Sequence, residues 1–209
     1  MKAADLPTFY NICEILEHNL EHRGDKIALL SENGSFTFRE VSEQVNRVGN
    51  ALIRSGVQFG ECVAILCPDR PEWVSVFFAT AKIGGVALGL NTLLKTDEYD
   101  YILKDARVKV LVVHDSLKAL VEPIIKKHDT LIKVITVTDN KSIKCTTFTD
   151  WIDGEESELD SATTHREDFC SLHYSSGTTG VPKGVLHMHK DYPLIAQLSG
   201  VDLFGIAEN

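Results

Sequence analysis

Hydroxyl side chains, glycines and a lysine crowd into one stretch of this chain: Tyr174-Ser175-Ser176-Gly177-Thr178-Thr179-Gly180-Val181-Pro182-Lys183-Gly184. Serines and threonines supply four hydroxyls here, beside three glycines and one lysine, and an apolar segment flanks the run on each side. Hydroxyls and bare backbone N–H groups are the neutral donors that wrap phosphate oxygens. Glycine lets the main chain come close and adopt φ > 0, so that successive N–H groups converge on one anion. Lys183 adds a mobile positive charge. The chemistry this predicts is a grip on a polyphosphate, with ATP the first ligand to consider.

Two common phosphate motifs do not fit. A Walker loop requires glycine, four residues, then Gly-Lys-Ser/Thr. Counting on from Gly177 puts Pro182 where the second glycine belongs, and Lys183 is followed by Gly184. There is no G-x-G-x-x-G either. The flanks, Phe169-Cys-Ser-Leu-His-Tyr174 and Val185-Leu-His-Met-His189, both read as short strands, so the lysine is expected on a loop between strands with no helix directly behind it. Ser/Thr/Gly-rich loops are commonly solvated hairpins and nothing more. A lysine just after Gly-x-Pro, between two apolar strands, weighs against that alternative. His187 and His189 lie two apart and would share a face of a strand, but no third ligand is evident nearby, so no metal site is predicted. His173 reads as an ordinary strand residue, Asp69 and Glu98 as helix-start residues, and Trp73 and Phe77 as core.

The elements that must position this run follow from periodicity. Lys26–Leu30 and Ser35–Phe38 flank Glu32-Asn33-Gly34, a hairpin signal. Val41, Val45, Val48 and Leu52 form one stripe of a helix over Arg39–Ser55, which Gly56 ends. Cys62-Val-Ala-Ile-Leu66 is a continuous apolar run, as in a parallel strand buried on both faces. Asp69 and Pro71 open the next helix, and Val86–Leu90 the next strand. Thr96 is expected to cap a helix to about Ala106, followed by a strand at Val108–Val113 and a helix over Ser116–Lys127 that Pro123 kinks or shortens. A strand at Ile132–Val137 closes the series. Strand and helix alternate over residues 8–138, which predicts an α/β fold: a mostly parallel sheet with helices on both sides. Residues 139–166 read as a polar surface excursion around a short helix at Phe148–Ile152, and 167–209 as the phosphate-loop hairpin and a following helix.

Composition narrows the setting. Hydrophobic residues make up 44% and the formal charge is −9, which disfavours nonspecific nucleic-acid binding and anionic membrane surfaces. Five cysteines without a C-x-x-C read as reduced, buried thiols, with Cys62 and Cys67 on opposite faces of a strand. Trp73–Leu90 is the one stretch resembling a membrane span, and Lys82 and Gly84-Gly85 interrupt it. With no signal-peptide core at Met1–Pro7, a cytoplasmic location is expected.

The run Ser175–Gly184 resembles the signature of the AMP-forming adenylating enzymes, whose pattern is roughly Tyr-Thr/Ser-Ser-Gly-Thr-Thr-Gly-x-Pro-Lys-Gly. These are the acyl- and aryl-CoA synthetases, luciferase-like enzymes and adenylation domains of peptide synthesis. Phe36-Thr-Phe-Arg-Glu-Val41, Phe78–Leu88, Asn91 and Thr96-Asp97-Glu98 resemble further family segments, so the likeness runs over about residues 8–209. Asn91-Thr-Leu-Leu94 and His187-Met-His189 are closest to benzoate-type ligases. The resemblance implies attack of a small-molecule carboxylate on ATP to give acyl-AMP and pyrophosphate, then displacement of AMP by the thiol of CoA, with Mg²⁺ present. It implies that Ser175, Ser176, Gly177, Thr178, Thr179, Gly180 and Lys183 hold the phosphates, and that His189 stands on the acyl-substrate side.

Members of that family are usually more than twice as long. Their Tyr-Gly-x-Thr-Glu segment, ribose-binding aspartate and C-terminal catalytic lysine have no counterpart here, and Lys183 is not that lysine. The chain, 1–209, therefore reads as an incomplete N-terminal AMP-binding domain, catalytically inactive alone and prone to self-association through uncovered apolar surface. A non-catalytic phosphate-binding module, a structural remnant without nucleotide affinity, and an adenylation domain serving a carrier-protein thiol are the competing readings.

Overall fold

A computed structural model describes residues 5–32, 34–140, 145–175 and 181–206. Two one-turn helices, α1 (Glu14–Glu17) and α2 (Leu20–Arg23), lead into an antiparallel hairpin of β1 (Ile27–Ser31) and β2 (Gly34–Thr37). Phe38, expected to end the second strand, instead opens α3 (Phe38–Arg54). The reason is a capping box: Thr37 Oγ1 accepts from the Glu40 N–H at 3.2 Å, and Glu40 Oε2 accepts from the Thr37 N–H at 2.8 Å. Val41, Val45, Val48 and Leu52 are all buried, and Gly56 follows the helix at φ +91°.

There follow β3 (Cys62–Leu66), α4 (Pro71–Lys82), β4 (Val86–Gly89), α5 (Thr96–Asp105), β5 (Val110–His114), α6 (Lys118–Val121), β6 (Lys133–Val137), α7 (Phe148–Ile152), β7 (Phe169–Ser175), β8 (Lys183–Met188) and α8 (Asp191–Ile195). Six strands form one sheet in the order β6-β5-β3-β4-β7-β8, parallel except for β8, which runs antiparallel to β7. β3 is buried on both faces: Val63 and Ile65, with Cys67 just past the strand, pack with α3, α4 and α7, while Cys62, Ala64 and Leu66 pack with α5 and α6. Cys62 and Cys67 thus face opposite sides, and all five cysteines are free thiols.

Two helix expectations are corrected. Lys95, extended at φ −97° and ψ 165°, is the N-cap of α5 and Thr96 is already helical; the Lys95 N–H is satisfied by Glu98 Oε2 at 2.9 Å. The span Ser116–Lys127 is not one helix but a 3₁₀ turn (Asp115–Leu117), α6, and a second 3₁₀ turn (Ile125–Lys127). Pro123 has no N–H to give and its ring blocks the preceding turn, so it divides the segment.

The polar excursion is bound down along α3. Asn46, Asn50 and Arg54, spaced by four, present one row of donors. Asn46 Nδ2 donates to Ser157 O at 2.8 Å, Asn50 Nδ2 to Glu156 O at 2.9 Å, and Arg54 Nη2 to Trp151 O at 2.7 Å. Leu159 lies over Gly49, where a Cβ would collide with Leu159 Cδ2. At the end of α4 the buried Lys82 Nζ sits 2.5 Å from Glu17 Oε1 and 2.6 Å from Asn46 Oδ1, which joins the amino-terminal segment to α3.

Candidate functional site

β7 and β8 pair as an antiparallel hairpin on either side of the Ser/Thr/Gly-rich run. β7 is an interior strand beside β4, with Cys170 and Ser171 fully buried, so its end is anchored while its partner β8 lies at the sheet edge. Ser175 pairs with Lys183, Tyr174 with Gly184 and His173 with Val185. Lys183 is therefore the first residue of β8 rather than a loop residue, because the ladder extends to Ser175. Both Ser175 and Lys183 are exposed, so a hydroxyl and a cation stand opposite each other at the hairpin mouth. Ser176, Gly177, Thr178, Thr179 and Gly180 lie outside the described residues.

An open groove of about 550 Å³ lies beside this mouth, at the carboxyl ends of β3, β4 and β7. Asp69, Trp73, Asn91, Thr92, His173 and Tyr174 line it. Neighbouring strands there send their following helices to opposite faces of the sheet: α4 packs on one side, α5 on the other. Crevices at such reversals are where open α/β sheets place ligands. Phe77 is core, as its type suggests, and stacks on Trp73 with ring centroids 5.3 Å apart; Trp73 itself is half-buried and reaches the groove. Asp69 does not cap α4, whose N-cap is Arg70. Asn91 shapes its own turn: Oδ1 accepts from the Leu93 N–H at 2.9 Å, and its carbonyl from the Tyr99 hydroxyl at 2.8 Å.

His173 is more than a strand residue. Its Nε2 lies 3.3 Å from the Tyr192 hydroxyl and 3.4 Å from Ser171 Oγ, and those two hydroxyl oxygens are 2.7 Å apart. Burial, and then the neighbouring His187, hold the imidazole below its ordinary pKa. His173 lies within β7, as the sequence predicts, and the hydrogen-bonded cluster with Ser171 and Tyr192 forms only through the fold.

His189 is not at the groove. It follows the end of β8, is fully buried, and accepts the Ile12 N–H on Nδ1 at 3.1 Å. Its Nε2 is buried without a partner among the described residues, and burial pushes the pKa down to about 4 against the opposing pull of Asp168. His187 points elsewhere, 5.4 Å from the His173 ring and 3.6 Å from Asp191 Oδ2. The two histidines do not share a face because the strand stops at Met188. No group of three His, Cys, Asp or Glu among the described residues could hold a metal ion.

Comparison with known proteins agrees with this architecture. The family described as "AMP-binding enzyme" matches residues 16–207. Benzoate–CoA ligase of Thauera aromatica is 33% identical over 211 residues, 99% of this chain and 39% of that protein. A 3-hydroxybenzoate/4-hydroxybenzoate–CoA ligase of the same organism is 33% identical over 184 residues, 88% of this chain and 35% of its own length. Among solved structures, the anthranilate CoA ligase AuaEII in complex with anthranoyl-AMP superposes with a TM-score of 0.94 at 50% identity, covering 98% of this chain and 40% of that one. A benzoate CoA ligase from Burkholderia xenovorans LB400 gives 0.86 at 26% identity, over 96% and 39%. The chain thus spans between a third and two fifths of the length of these relatives. With its family signature, its mostly parallel sheet and these matches together, the chain belongs to the AMP-binding enzyme family.

Proposed function

We propose that this chain is the N-terminal portion of an ATP-dependent ligase that activates an aromatic carboxylic acid of the benzoate or anthranilate class and passes it to the thiol of CoA. The observation that carries the reading is the pairing of exposed Lys183 with exposed Ser175 at the mouth of the signature hairpin. The aryl-acid ligases among its relatives support the substrate class.

A carboxylate is a poor acyl donor, since its oxygen leaves badly and its charge repels nucleophiles. Its attack on the α-phosphate of ATP expels pyrophosphate and forms a mixed anhydride, from which a thiol displaces AMP. Negative charge accumulates on the departing phosphates, and donors fixed in advance at that position stabilise the transition state. In this reading Lys183 supplies the cation and Ser175 a hydroxyl, with Ser176, Gly177, Thr178, Thr179 and Gly180 completing the grip. A magnesium ion would accompany ATP and neutralise phosphate charge, and no group of three His, Cys, Asp or Glu residues among the described residues is assembled to hold it. The 209-residue chain alone is expected to be inactive.

Carboxylate-dependent ATP–pyrophosphate exchange tests this. The full-length protein would be assayed with benzoate, anthranilate and aliphatic acids, and the 209-residue chain alongside. Exchange with an aryl acid in the long form only is expected. Absence of exchange with every acid would favour a non-catalytic phosphate-binding module. Lys183→Met should raise the KM for ATP roughly ten- to a hundredfold, the usual loss for one hydrogen bond to a charged group; an unchanged KM would remove Lys183 from the grip.

A further inference from the structure

One residue inside the Ser175–Lys183 pair, Tyr174 faces Gly184 across the hairpin. The Tyr174 hydroxyl donates to Asp105 Oδ2 at 2.5 Å, and Asp105 is the last residue of α5. Gly184 makes room for the ring: a Cβ there would come within 3.3 Å of Tyr174 Cζ and 3.0 Å of Leu172 Cδ1. Tyr174 thus touches three elements at once, α5, its own β7 and the start of β8, directly beneath the two exposed residues.

Asp105 sits where helix electrostatics disfavour it. A carboxylate in the last turn meets the negative end of the helix dipole. It is exposed, so its hydrogen bond adds little to global stability. The bond does, however, fix the ring orientation of Tyr174, and the ring lies across the one residue of β8 that lacks a side chain. Hairpins at a sheet edge are held on one side only, and β8 is the outermost strand. A tether from α5 therefore supplies the end of this hairpin with a second point of attachment.

We propose that Asp105 and Tyr174 form a positioning pair for the polyphosphate grip, fixing where Ser175 and Lys183 stand relative to the triphosphate of ATP. This rests on the proposed ATP-dependent reaction. Neither residue needs to touch phosphate; Asp105 acts through Tyr174, and Tyr174 through the backbone of its neighbours. Displacement of a binding group by about 1 Å suffices to lower a rate by orders of magnitude, so a small shift of the hairpin mouth would be felt in ATP handling well before it is felt in stability.

Two readouts test the pair. In the full-length protein, Tyr174→Phe and Asp105→Ala are each expected to raise the KM for ATP about five- to tenfold. The KM for the carboxylate and the melting temperature should stay near wild type, and the double variant should be no worse than either single one. Asp105→Asn keeps an acceptor for the phenol and should largely restore the wild-type KM. In the free 209-residue chain, the backbone amide resonances of Ser175 and Lys183 should move in Tyr174→Phe and Asp105→Ala, and return towards wild type in Asp105→Asn. Unmoved amides with an unchanged KM for ATP would overturn the proposal. So would a fall in melting temperature with the KM values for ATP and acid raised equally, which marks a merely structural contact. Should wild type catalyse no exchange with any acid, the proposed reaction falls, and the amide resonances alone then decide the pair: movement supports it, and none overturns it.

Discussion

A single buried imidazole, His189, gives this molecule a distinct pH dependence. Its folded pKa of about 4 lies below the ordinary value near 6.5, because burial penalises the charged form. Between those two values the unfolded chain binds the extra proton and the folded chain refuses it. Stability contributed by the neutral ring is thus complete above pH 6.5 and is lost as the pH falls towards 4, to a total of about 3 kcal/mol. The carboxylates that the fold depresses, Asp139 and Glu167 by their basic partners and Glu40 by its cap, contribute stability above their ordinary pKa values and lose it as the pH falls below them, so the glutamates begin to titrate at the acid end of the His189 range. His189→Asn keeps an acceptor near the Ile12 N–H without the titration, so urea midpoints of this variant should fall less steeply from pH 6.5 to 4 than those of wild type, the remaining slope coming from His173, whose pKa burial also lowers. An equal decline in both would show that other groups set the slope. Nothing local to Val185–His189 announced this role, since the partner that fixes His189 is Ile12, at the far end of the chain.

Among the elements, α3 shows both what was readable and what was overlooked. Its apolar stripe and closing Gly56 follow directly from spacing, and β3 from an apolar run that can only be buried on two faces. Thr37-x-x-Glu40 is also a written signal, yet it is masked by the β-type residues Phe36 and Phe38 around it, and only the geometry reveals the reciprocal bonds. Thr37→Ala is expected to cost about 1 kcal/mol, which for a chain of this size lowers the melting point by roughly 2–4 °C; an unchanged melting point would mean that the hairpin β1–β2 holds the helix start by itself. Thr96 misled in the opposite direction. A hydroxyl suggests an N-cap, but here the acidic Glu98 satisfies the Lys95 N–H and the hydroxyl is not required. The candidate site was legible only where local sequence decides it. Ser175 and Lys183 follow from the signature, whereas His173 and Tyr174 gain their partners, Tyr192 and Asp105, through the fold.

At the scale of the whole molecule, apolar surface and net charge pull in opposite directions. β8 is a sheet edge whose Val185 and Leu186 are 47% and 46% exposed, and it has no charge between Lys183 and Met188 to keep another strand away. Leu203, Phe204 and Ile206 are exposed beyond it. Two copies of β8 can pair antiparallel about a two-fold axis, which satisfies the same backbone groups on both chains. Against this stands a formal charge of −9, whose repulsion is long-ranged only at low ionic strength. We therefore expect the isolated chain to associate reversibly, and to do so more strongly as salt is added, the reverse of what ion-pair contacts would give. Sedimentation velocity across a wide concentration range, at low and high salt, measures this directly. Val185→Lys and Leu186→Lys place a charge on each face of the edge and should return the chain to monomer. Association that survives both substitutions but disappears with Phe204→Asp would assign the contact to the segment after α8, and a wild-type chain that stays monomeric at high concentration and high salt would show that the repulsion prevails over the exposed edge.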